Sequence, residues 1–166
     1  INWAIINGED ETGVSTFFLE HEIDTGQLIL QEKCLINPDD NAGDLHDRLM
    51  ELGAKVLHKT VEQIENDSYS LSPQNFNGDE PKAPKIFKED CQINWNEKGK
   101  RINDFIRGLS PYPGAYTMLD GKICKILKAR FIFKSHFEQA GKVNIEDGRF
   151  QVFVPDGIIE IQVLQL

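Results

Sequence analysis

The stretch Val14-Ser15-Thr16-Phe17-Phe18-Leu19-Glu20-His21-Glu22-Ile23-Asp24-Thr25-Gly26-Gln27-Leu28-Ile29-Leu30 decides how the first half of this chain folds. Val14 to Glu20 is rich in β-formers, and Gln27 to Ile36 alternates and branches in the same manner. Asp24-Thr25-Gly26 between them carries turn chemistry. The pattern predicts two strands joined by a loop centred on Asp24. Upstream, residues 1–8 read as the tail of a helix stopped by Gly8. Downstream, Asp39-Asp40-Asn41 supplies N-cap chemistry for a helix beginning near Ala42. Its apolar positions Leu45, Leu49, Leu52, Val56, Leu57, Val61 and Ile64 recur in steps of three and four, so one face is expected to pack on a core. Asn66-Asp67-Ser68 is the expected stop.

From Ser72 to Pro84 the composition turns to Ser, Pro, Asn, Gly and charged residues, with Pro73, Pro81 and Pro84 stiffening it. The expected organisation is a first module over residues 1–72, a linker over 73–84 and a second module over 85–166. The second module opens with a helix over Lys98 to Gly108, ended by Pro111-Tyr112-Pro113-Gly114. Five strands follow in expectation: Ala115 to Leu119, Lys122 to Phe133, Gly141 to Ile145, Phe150 to Pro155 and Ile158 to Leu166. The pairs Asp120-Gly121, Asp147-Gly148 and Asp156-Gly157 are tight-turn signals. Five short strands and one helix suggest a small OB-like β-barrel.

Composition narrows the function classes. With 40% apolar and 27% charged residues the chain can bury a core, and its longest apolar runs are far too short to cross a bilayer. Cys34, Cys91 and Cys124 are widely spaced, form no CxxC pair and support neither a zinc site nor a disulfide framework. No metal is expected, and scattered thiols suit the cytoplasm. The net charge of −9 is uneven: residues 1–84 hold 5 Lys and Arg against 17 Asp and Glu, residues 85–166 hold 13 against 10. Two modules with different partners would produce this division, although on charge alone a balance of +3 is ordinary surface scatter.

Asp24 is the candidate for chemistry. A carboxylate in a loop between apolar strands, followed by Thr and Gly, can approach a ligand and orient a histidine or move a proton. Local physics equally supports a plain turn in which Asp caps its own loop.

Several ordered motifs add to this. Gly13-Val14-Ser15-Thr16, Glu22-Ile23-Asp24-Thr25-Gly26-Gln27-Leu28-Ile29, Ala42-Gly43-Asp44-Leu45-His46-Asp47-Arg48-Leu49, Ala83-Pro84-Lys85-Ile86, Ile93-Asn94-Trp95 and Ile106-Arg107-Gly108-Leu109-Ser110-Pro111-Tyr112-Pro113-Gly114-Ala115 together resemble the methionyl-tRNA formyltransferase family. The likeness covers most of residues 1–118 and thins beyond. It implies an α/β first module, the C-terminal part of a Rossmann-like formyltransferase domain, followed by an OB-like domain. It implies transfer of a formyl group from 10-formyltetrahydrofolate, a co-substrate, to the methionine amine of initiator methionyl-tRNA in translation initiation. The family's site is an Asn, a His and an Asp, of which only the Asp maps here, onto Asp24. His21 lies inside the hairpin motif and is not that histidine. The backbone of Glu20, His21, Glu22 and Ile23 is where the resemblance places pterin contacts. It assigns tRNA contacts to the second module's basic residues: Lys98, Lys100, Arg101 and Arg107 around the helix, and Lys122, Lys125, Lys128 and Arg130 on the strands. Lys122, Lys125 and Lys128 do not share strand parity, so a regular strand would not present all three on one face. Trp95 and Tyr112 are expected to pack in a core or interface.

The chain starts at Ile1 rather than Met and stops at Leu166, where the family continues with a basic tail. It is expected to be part of a longer, cytoplasmic, monomeric protein without a membrane partner, and inactive alone because the Asn and His precede Ile1. Two other readings remain open. A sugar-nucleotide N-formyltransferase or a folate hydrolase would use the same Asp-bearing hairpin, and titration of initiator tRNA against a nucleotide sugar separates the first. A non-catalytic OB-type nucleic-acid-binding module would bind oligonucleotide without folate.

Overall fold

The computed structural model describes residues 1–75, 78, 80–146 and 148–166. In chain order its elements are α1 (Asn2–Ile6), β1 (Glu11–Phe17), β2 (Leu28–Leu35), α2 (Ala42–Glu65), a 3-10 turn (Glu89–Cys91), α3 (Gly99–Leu109), β3 (Ala115–Leu119), β4 (Lys122–Phe133), β5 (Val143–Glu146), β6 (Arg149–Val154) and β7 (Gly157–Gln165).

The expected two-strand unit is present, but its first strand runs over Glu11–Phe17 and not Val14 to Glu20, so residues 18–20 belong to the loop; β1 and β2 pair antiparallel, Glu11 opposite Leu35 and Phe17 opposite Leu28. α2 starts where the cap residues place it. The Asn41 side chain accepts from the Gly43 and Asp44 amides, and the Asp44 carboxylate accepts from the Asn41 amide, satisfying donors a helix start leaves open. The expectation of a fully packed stripe on α2 is only half met. Leu45 and Val56 are buried, but Leu57, Val61 and Ile64 are exposed. A hairpin of two strands is too narrow to cover a helix of 24 residues, and at its far end the contact is polar, Thr60 meeting Thr16 Oγ1 at 2.8 Å.

The second module is a five-stranded antiparallel sheet in the order β3-β4-β7-β6-β5, with α3 packed on it. The expected barrel is not closed: among the described residues no ladder joins β3 to β5. Both long strand pairs instead form around β7, which takes β4 on one side and β6 on the other. Asp120 and Gly121 both take positive φ, 49° and 77°, as a two-residue hairpin with right-handed strand twist requires. Asp156-Gly157 is not the turn. Pro155 and Asp156 form it, Gly157 opens β7, and the Asp156 carboxylate accepts the Gly99 amide at 2.7 Å to cap α3. Asp147 lies outside the described residues, as do Phe76, Asn77 and Asp79 of the expected linker.

α1 ties the two modules together. Its neighbours Ile5 and Ile6 enter different cores: Ile5 joins Ile36, Ala42 and Leu45, while Ile6 joins Ile102, Ile106 and Leu109 of the second module. Asn2 donates to the Gly108 carbonyl at 2.8 Å, and Trp3 Nε1 to that of Pro84 at 2.7 Å. Asn2 thereby fastens α1 to the end of α3, and Trp3 fastens it to the segment leading into the second module.

Candidate functional site

Residues 18–27 form a loop between β1 and β2 that carries Asp24. Its neck is closed by the Phe18 amide donating to the Gln27 carbonyl at 3.3 Å. Gly26 is buried there, and a Cβ added to it would lie 1.6 Å from the Phe18 carbonyl oxygen, so only glycine fits. Asp24 takes φ 59°, a left-handed conformation that Asp tolerates better than most residues. Thr25 Oγ1 donates to the Glu22 carbonyl at 3.0 Å, and the Gln74 side-chain amide reaches the carbonyls of Asp24 and Gly26 at 2.9 and 2.8 Å. The backbone is tied while the side chains of Glu20, His21, Glu22, Ile23 and Asp24 face solvent. A fixed loop bearing an exposed carboxylate can orient a cationic or donor partner brought to it.

The basic residues divide into groups. Lys100, Arg107, Lys128 and Arg130 line one cleft of about 950 Å³ between the modules, together with Glu9, Asp10, Asp39 and Asp44. Arg101 lies apart, beside Asp90 and Glu97 in a smaller cavity, Lys125 lines a third with Trp3 and Tyr116, and Lys122 is exposed at the β3–β4 turn. Strand parity does not hold along β4, because its register against β7 slips between Ile126 and Ala129. Inward positions change from the even Cys124 and Ile126 to the odd Ala129 and Phe131. That irregularity leaves Lys128 and Arg130 exposed on the cleft.

Arg107 occupies a joint. Its side chain is 13% exposed and pairs through Nε with Asp104 Oδ1 at 2.9 Å. Its Nη1 donates to the carbonyls of Asp40 at 3.1 Å and Asn37 at 3.5 Å in the first module. Lys100 meets the other Asp104 oxygen at 2.8 Å. The buried carboxylate of that same Asp40 accepts from Arg48 Nη1 at 2.8 Å and Nη2, and from the Asn37 amide at 2.6 Å. The Arg48 hydrogen bonds outweigh burial and hold Asp40 down to about 2; reciprocally they raise Arg48 above its ordinary range. Burial pushes the thiols of Cys91 and Cys124 up, which makes them poor nucleophiles. Trp95 packs on the core and donates to Thr117 Oγ1 at 3.1 Å as expected, but Tyr112 is 81% exposed and packs in no core. Among the described residues no group of three His, Cys, Asp or Glu could hold a metal, and no helix is long and apolar enough to cross a membrane.

Sequence reasoning missed Gln74, Arg48 and the joint role of Arg107. Gln74 sat in a stretch whose composition signals a linker, and nothing local reveals that it folds back 48 to 50 residues.

Residues 1–61 match the family model described as formyl transferase, and residues 85–166 match that described as formyl transferase, C-terminal domain. The whole chain is 45% identical to a methionyl-tRNA formyltransferase from Bacteroides thetaiotaomicron, spanning 54% of that relative's length. Among solved structures, 96% of the chain superposes on 58% of an N-formyltransferase from Helicobacter canadensis in complex with folinic acid and dTDP-3-aminofucose, at TM-score 0.71 and 24% identity. HypX from Aquifex aeolicus in complex with tetrahydrofolic acid covers 98% of the chain with 28% of its own, at TM-score 0.72 and 19% identity. At those identities the two solved structures establish a shared fold.

Proposed function

The chain belongs to the formyl transferase family, and from that premise we propose that it serves a methionyl-tRNA formyltransferase, moving a formyl group from 10-formyltetrahydrofolate to the methionine amine of initiator methionyl-tRNA in translation initiation, in the cytoplasm. The observation that carries this reading is identity of 45% along the entire chain to a relative of that activity. The sugar-directed alternative rests on a solved structure at 24% identity, which speaks for fold alone. The module over residues 1–72 supplies Asp24, and the module over 85–166 faces the tRNA.

Amine attack on a formyl carbon builds an oxyanion and a protonated amine, so the site needs a donor and a base. In this reading the Asp24 carboxylate orients the histidine that the family resemblance implies, and stabilises its charged form. The exposed backbone of Glu20, His21, Glu22 and Ile23 offers carbonyls and amides to the pterin's alternating donors and acceptors. Thr25 already uses the Glu22 carbonyl. Phosphate contacts fall to Lys128 and Arg130, with Lys100 beside them on the cleft. Arg101, Lys122 and Lys125 sit elsewhere, and Arg107 spends its Nε and Nη1 donors on the joint.

The test is formyl transfer by the intact protein carrying this chain, wild type against Asp24→Asn, offered initiator methionyl-tRNA and, separately, a dTDP-linked amino sugar. Methionyl-tRNA is formylated, the sugar is not, and the substitution lowers turnover roughly 100-fold or more. Turnover of the sugar in place of methionyl-tRNA overturns the substrate assignment; undiminished turnover by Asp24→Asn removes the carboxylate from the mechanism.

A further inference from the structure

We propose that Gln74 is a positioning residue for the formyl-transfer site: its side-chain amide holds the backbone that leaves Asp24, at the Asp24 and Gly26 carbonyls, and thereby sets where that carboxylate points. This rests on the reading of Asp24 given above. The geometry is specific. One amide nitrogen lies 2.9 Å from the Asp24 carbonyl and 2.8 Å from the Gly26 carbonyl. Two acceptors can be met only by the donor end of the amide, so chemistry fixes its orientation. Tying carbonyls two residues apart holds the peptide planes after Asp24 and after Gly26. Asp24 itself is in the left-handed region, at φ 59°, and rotation of the peptide that follows it would swing its side chain.

Gln74 is itself held. The preceding Ser72 pairs with Leu28 at the base of β2 through two backbone bonds of 2.8 and 3.0 Å, and Pro73 restricts the backbone between them. Tyr69, three residues before Ser72, packs edge-on against Phe18 with ring centroids 5.5 Å apart. Tyr69, Ser72 and Gln74 thus grip the loop at Phe18, Leu28, and Asp24 with Gly26. The gripped residues contribute almost nothing to either hydrophobic core. Loss of the Gln74 bonds should therefore loosen a reactive loop without loosening the fold.

The experiment uses the intact protein with Gln74→Glu, which keeps the shape but turns an acceptor toward two carbonyls, and Gln74→Met, which keeps the length without polarity. Asp24→Asn and the double variant Asp24→Asn/Gln74→Glu complete the cycle. Both Gln74 variants should lower kcat roughly 10- to 100-fold, the scale on which small misplacements act. KM for methionyl-tRNA should stay unchanged, and amide exchange should rise over residues 18–28 but not over α3. The double variant should fall no lower than Asp24→Asn alone. If Asp24→Asn is impaired while both Gln74 variants turn over like wild type, the Gln74 assignment is overturned and Asp24 stands. Losses that multiply in the double variant also overturn it, because Gln74 then acts independently of Asp24. Full turnover by Asp24→Asn defeats the underlying reading, and the positioning role with it.

Discussion

Replacing Asp40 by Asn should cost about 2 kcal/mol of stability at pH 7, and the cost should fade as the pH falls. The Asp40 side chain is 10% exposed and collects both Arg48 Nη1 and Nη2 and the Asn37 amide. The Arg48 bonds, the largest cause, lower its pKa from 3.8 to about 2. A depressed folded-state value means stability present above the unfolded value near 3.8 and lost as pH drops toward 2. A shift of that size corresponds to about 2 kcal/mol at neutral pH, of which about half remains near pH 3. Asn offers one acceptor oxygen and turns an NH2 toward donors, so it recovers little. Urea unfolding of wild type and Asp40→Asn at pH 7, 5, 4 and 3, with m-values compared, reads the gap directly. A gap that stays constant from pH 7 to pH 3 would refute the reasoning, because the loss would then come from packing and not from charge. So would the absence of any gap at pH 7.

Three further outcomes follow from contacts already described. Gly26→Ala forces a Cβ to within 1.6 Å of the Phe18 carbonyl oxygen, so the Asp24 loop must open; turnover of the intact protein should drop more than tenfold, and wild-type kinetics would show that the loop tolerates displacement. Arg107→Met leaves the buried Asp104 with Lys100 alone and uncaps the Asp40 carbonyl. It should lower stability by roughly 2–4 kcal/mol without changing the salt dependence of tRNA binding, which would instead flatten if Arg107 met phosphate. Lys128→Ala and Arg130→Ala should each reduce the slope of log affinity against log salt by about 1, whereas Lys122→Ala, remote from the cleft, should leave it unchanged.

Local chemistry announced much of this molecule. Asp39-Asp40-Asn41 carries N-cap chemistry readable from residue type, and α2 begins at Ala42 as that pattern requires, with Asn41 as the cap. β3 and β4 run from Ala115 to Leu119 and from Lys122 to Phe133 as their β-rich composition and the Asp120-Gly121 turn predict. These features depend on neighbours a few residues away. The candidate carboxylate was legible differently: spacing around Asp24 fits a turn as well as a site, and the ordered motifs on either side tipped the balance.

The sequence by itself determined the helices, the strands, the acidic and basic halves, and the family to which they belong, because hydrophobic period, cap chemistry and motif order are properties of short stretches. Only the tertiary structure decided how those pieces meet. It placed Gln74 on the Asp24 loop across 50 residues and turned Arg107 from a surface cation into the tie between two modules. It also left the sheet open and slipped β4 so that Lys128 and Arg130 share a cleft with Lys100. The reason is common to all four. Each depends on which donor finds which acceptor, or which strand finds which edge, once distant segments are packed together, and no local pattern encodes that choice.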